Sequence, residues 1–94
     1  MQRSVNYCLA GLLRWCEFDG DWVVYCTTTG ALRHADKPTA AVLAMLEEAP
    51  ASAADVARRI AAATEITLTD EVVLGIGDLL DELQRVGFLE REAT

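Results

Sequence analysis

The sequence predicts an α+β fold in which a three-stranded antiparallel N-terminal sheet is followed by three helices. Two observations carry this. Between Leu12 and Ala35 three short runs rich in aromatic and β-branched residues are separated by turn chemistry. Beyond Asp36 the apolar residues recur at helical spacing, interrupted at Pro50 and at the threonine-rich ATEITLT connection. The 94 residues are expected to form a single domain spanning 1–94, with residues 1–11 as a flexible lead-in or an extra short strand.

The first two strands run from Leu12 to Phe18 and from Trp22 to Thr27. Asp19-Gly20 between them supplies the positive φ angles of a two-residue hairpin turn. That loop length sets the register, placing Cys16 opposite Val23 and Cys26 opposite Leu13, with the two thiols on opposite faces; a three-residue loop would put both on one face. Trp15 and Trp22 lie on adjacent strands, where aromatic packing stabilises a small sheet, and both are assigned to the core. Thr28-Thr29-Gly30 makes the second turn. The third strand, Ala31 to Ala35, has no further strand beyond it, so its outer N–H and C=O groups need a helix, a loop or another chain to cover them.

Asp36 is the expected N-cap of the first helix, with Pro38 in its first turn and an apolar face of Ala40, Val42, Leu43, Met45 and Leu46. Ser52 with Asp55 begins the second helix, whose face is Val56, Ile60 and Ala63, with Arg58 and Arg59 outside. Thr69 caps the third, with Asp70 and Glu71 at the positive end of its dipole and Val72, Ile76, Leu79, Leu83 and Val86 as its buried stripe. Gly87 stops it, and Phe88-Leu89 packs the tail back or forms a short extended segment. Val73 and Leu74 widen the apolar surface beyond that stripe. Gly75 and Gly77 are each expected to cost about 1 kcal/mol relative to alanine, a cost explained by tight packing against the sheet or second helix, or by a groove. Gly75-Ile76-Gly77 follows no strand, and Leu80 stands where a dinucleotide fingerprint needs glycine.

Composition narrows the function classes. A formal net charge of −7, with Arg58-Arg59 the one adjacent basic pair, disfavours nucleic acid and favours a neutral or cationic partner. No apolar run approaches the roughly 20 residues of a membrane span, and MQRSVNYCLAG lacks the apolar stretch of a secretory signal, so a cytoplasmic location is expected. Cys8, Cys16 and Cys26 contain no CxxC and read as free thiols; adding His34 gives scattered residues without metal-binding spacing. No metal or cofactor is expected. The carboxylates occupy turn, cap and solvated helix positions, and no catalytic constellation is visible around the single histidine.

The run WCEFDGDWVVYCTTTGALRHADKPTAAVLAML, with the closing LLDELQRVGFLER, resembles the PqqD-like family over about residues 12 to 91. These are small winged-helix domains that recognise ribosomally made precursor peptides. Its most specific part, Trp15, Asp19-Gly20, Trp22-Val23-Val24-Tyr25 and Gly30, is especially similar to the HPr-rel-A system peptide chaperones. The resemblance implies a winged-helix-like, noncatalytic adaptor that binds a leader peptide by strand addition to the third strand and presents it to a peptide-modifying enzyme or an HPr-kinase-related protein. Carried over, the backbone of Leu32, Arg33 and His34 pairs with the peptide between Ala31 and Ala35. Val73, Leu74 and Gly77, flanked by Glu71 and Asp78, line the groove against the third helix. The chain departs from its relatives at Ala31, at His34-Ala35 and at Ala49-Pro50, which bears on peptide identity. A docking or homodimerisation module is the alternative reading, and a DNA-binding regulator a weaker one.

Overall fold

Positive φ at both Asp19 (54°) and Gly20 (84°) gives the hairpin the primed turn that matches strand twist. The computed structural model describes residues 5–92. Its elements are β1 (Asn6–Leu9), β2 (Leu13–Phe18), β3 (Asp21–Cys26), β4 (Leu32–Ala35), α1 (Lys37–Glu48), β5 (Ala51–Ser52), α2 (Ala53–Thr64), α3 (Asp70–Arg85) and β6 (Leu89–Glu92). The turn sets the β2–β3 register at Leu13↔Cys26 and Cys16↔Val23, as its length predicts, so Cys16 is exposed and Cys26 fully buried. β3 then pairs with β4 from Trp22↔Ala35 to Tyr25↔Leu32, giving the antiparallel sheet β2-β3-β4.

The caps sit where the residue types place them. Asp36 accepts from the Thr39 N–H at 2.9 Å, Ser52 from Asp55 at 3.2 Å and Thr69 from Val72 at 3.3 Å. The core gathers Val24 and Cys26 from β3, Val42 and Leu43 from α1, Val56 from α2, Leu80 and Leu83 from α3, and Phe88 just before β6.

A second antiparallel sheet, β5-β1-β6, was not anticipated as a unit. The extra strand near the N-terminus forms as β1, and the tail after Gly87 becomes β6, paired with it from Asn6↔Glu92 to Leu9↔Leu89. Two residues of β5 close the other side of β1. The expectation for residues 1–4 lies outside the described residues.

Three expectations need correction. On α2 the buried residues are Val56, Ala57 and Ala61, while Ala63 is exposed; the helix is rolled so that Ala57 and Ala61 face the interior. On α3 the fully buried pair is Leu80 and Leu83, and Val86, at the C-cap, is 45% exposed. The helix glycines do not serve tight packing, because a Cβ added at Gly75 or Gly77 would meet nothing within 4 Å. The close approach is instead at Gly11, between β1 and β2, where a Cβ would collide with the Thr28 side chain.

Thiol labelling checks the hairpin register directly. Cys16 is expected to react with Ellman's reagent in the folded protein and Cys26 only on unfolding; comparable native rates would mean that the register is wrong.

Candidate functional site

Among the described residues β4 pairs with β3 alone, so its outer side is a free sheet edge. Which groups point outward follows from pairing parity. The Cys26 N–H donates to the Ala31 carbonyl at 2.8 Å, which makes Cys26·Ala31 a hydrogen-bonded position. In an antiparallel ladder such positions alternate, so Arg33 and Ala35 direct their backbone groups to β3 while Leu32 and His34 direct theirs away. The expected pairing set of Leu32, Arg33 and His34 therefore reduces to Leu32 and His34. Their side chains lie on the outer sheet face, where Leu32 is 69% exposed; Arg33 and Ala35 project to the side of α1 and α3, and Ala31 is half-buried.

Side-chain contacts at its two flanks mark the rotation of α3. The Arg33 guanidinium lies 3.5 Å from the Glu82 carboxylate, so the Glu82 flank is turned toward β4. On a different flank Asp81 accepts from the Tyr7 hydroxyl at 2.6 Å and from Arg91 at 3.2 Å, and Arg91 also donates to Gln84 at 3.0 Å. At about 100° per residue, Glu71, Gly75, Asp78 and Glu82 share the first flank, and Val73, Gly77, Asp81 and Gln84 the second. Of the expected groove residues, Glu71 and Asp78 thus fall on the flank turned toward β4. Val73 and Gly77 fall on the flank facing β1 and β6, and Leu74, 68% exposed, points away from the body. Half-buried Val72 and Leu79, with Val86 at the helix end, are the apolar residues bordering the β4 side. Sequence periodicity identified apolar surface beyond the core stripe but could not orient it, because the partners that mark the two flanks, Arg33 and Tyr7, lie far away in the chain.

The chain matches no family model, no curated protein and no solved structure. Among the described residues no group of three or more His, Cys, Asp or Glu side chains is arranged to hold a metal ion. No helix among them is long and apolar enough to cross a membrane.

Two concavities lie beside the edge. One, of about 250 Å³, is lined by Trp15, Trp22, Ala40, Ala44 and Glu47. The other, of about 470 Å³, runs from Gly20, Asp21 and Trp22 to His34, Ala35, Asp36, Lys37 and Ala40. The tryptophans do pack as a pair, edge to face at 83° with centroids 6.5 Å apart; Trp15 is half-buried against the core, but Trp22, 44% exposed, is not a core residue. The signal available in the sequence was the small Ala40 and Ala44, which leave the rings uncovered.

Two carboxyl groups are tuned. The Tyr7 hydroxyl, despite partial desolvation, and then Arg91 hold Asp81 below the ordinary carboxylate range. Burial, followed by the same bond to Asp81, pushes the Tyr7 phenol up. At Asp36, Thr39 at the helix cap lowers the pKa in the same way. A depressed folded-state pKa contributes stability above the unfolded pKa and loses it as pH falls through the folded one. Asp81→Asn is therefore expected to lower the urea midpoint at neutral pH, with the gap from the wild type closing in acid below the usual carboxylate pKa of about 3.9. A pH-independent gap would show that the charge on Asp81 is not what matters.

Proposed function

We propose that this protein is a noncatalytic adaptor that captures an extended peptide segment by adding it as a strand to β4, and that it presents this segment to a modifying enzyme. The observation that carries the reading is the outward-directed backbone of Leu32 and His34, which enters no turn, loop or cap hydrogen bond among the described residues. Helix α3 lies alongside, as the Arg33–Glu82 pair requires. The resemblance to PqqD-like domains in Trp15, Asp19-Gly20 and Trp22–Tyr25 supports the same use of the edge.

The energetics define what such a peptide must supply. Two residues offer at most four backbone hydrogen bonds, each worth about 1 kcal/mol net, and ordering a flexible peptide offsets much of this gain. Micromolar affinity, about −8 kcal/mol, therefore requires apolar side chains against Val72, Leu79 and Val86. The Arg33–Glu82 pair at the mouth is partly solvated, so displacing it costs on the order of 1 kcal/mol or less. A net charge of −7 steers neutral or cationic peptides toward the chain and argues against a nucleic-acid partner.

His34→Pro tests the mode of binding, because it deletes an outward N–H without taking a bond from β3, and proline is tolerated on an edge strand. With a short peptide encoded beside this gene, chemical-shift changes are expected at Leu32–Ala35 and along Glu71, Asp78, Leu79 and Glu82. His34→Pro should weaken binding by about tenfold or more while the protein stays folded. Wild-type affinity in His34→Pro, or shifts confined to β1 and β6, would rule out strand addition at β4.

A further inference from the structure

We infer that the concavity between Trp15, Trp22 and Glu47 is a binding site for a cationic side chain, that of a lysine or arginine carried by a partner peptide. Three features combine there. The indoles stand nearly perpendicular, at 83°, and form a corner whose faces carry the negative side of the ring quadrupole. The Glu47 carboxylate is fixed at that corner, with Oε1 and Oε2 accepting from Trp15 Nε1 at 3.2 and 3.3 Å, and it has no cationic partner among the described residues. Ala40 and Ala44 form the floor, where larger side chains would fill the roughly 250 Å³ of space.

The ligand class follows from this lining. Two aromatic walls accommodate an aliphatic stem, and a carboxylate at the rim pairs with its charged end, which a neutral apolar ligand would leave unused. A net charge of −7 acts in the same direction. The site is built by the hairpin and α1, so it stands apart from strand addition at β4. The two are neighbours nonetheless, since Trp22 and Ala40 also line the concavity that reaches His34 and Ala35.

The chain contains two tryptophans, both lining this site, so intrinsic fluorescence reports on it, and the Glu47 and Ala44 variants separate it from the concavity that shares Trp22. The probes are N-acetyl-lysine and N-acetyl-arginine methylamides, with the neutral N-acetyl-norleucine methylamide and tetramethylammonium chloride as comparisons. A saturable fluorescence change with a lysine or arginine probe is expected, absent with norleucine. Glu47→Gln, which can still accept from Trp15, should weaken it about fivefold, and Ala44→Leu should abolish it by filling the floor, with thermal unfolding unchanged in Glu47→Gln. Because the probes carry no strand, loss of peptide binding in His34→Pro has no bearing on this result. No saturable change, an equal response to norleucine, a response to tetramethylammonium alone, or full binding in Glu47→Gln would overturn the assignment.

Discussion

The two-residue turn at Asp19-Gly20 is the constraint on which the rest of the sheet depends. Side chains alternate along a strand with a period of two, so a slip of one residue would exchange the faces of every residue in β2 relative to β3. With this turn, Cys26 and Val24 enter the core and Trp15 and Trp22 come to the side covered by α1. The same register also decides which β3 residues direct their backbone groups toward β4. The second turn, closed by the Gly30 N–H on the Cys26 carbonyl, then sets which β4 residues meet them, leaving the backbone groups of Leu32 and His34 outside.

The helices follow from local rules, and their arrangement does not. Asp36, Ser52 and Thr69 each cap a helix because a short side-chain oxygen reaches an N–H two or three residues on, within one turn of chain. The roll of α3 follows from burying Leu80 and Leu83 in a core built from distant segments. Arg33 on β4 then meets the Glu82 flank, and Tyr7 with Arg91 meets the Asp81 flank, so the helix lies between the two sheets. That division assigns Val72 and Leu79 to the β4 side and Val73 and Gly77 to the other.

Much of the fold was legible because it rests on local signals: the hairpin and its register, the strand after Gly30, and the three caps. The second sheet was not, since β5 has two residues and β1 pairs with a segment some eighty positions away, too short for alternation to mark and too distant for turn chemistry to join. Of the candidate site, the edge strand was legible from its lack of a successor. The side of α3 facing it was not, and neither was the exposure of the tryptophan pair. Aromatic residues in a strand predict burial, whereas the space above these rings depends on Ala40 and Ala44 in another element.

Strand addition at β4 depends on the alternation of its backbone groups, and amide hydrogen exchange reads that alternation residue by residue. In the free protein the amides of Arg33 and Ala35, bonded into the ladder with β3, should be protected, and those of Leu32 and His34 should exchange much faster. Equal protection at all four positions would contradict it, because the edge of β4 would then already be covered.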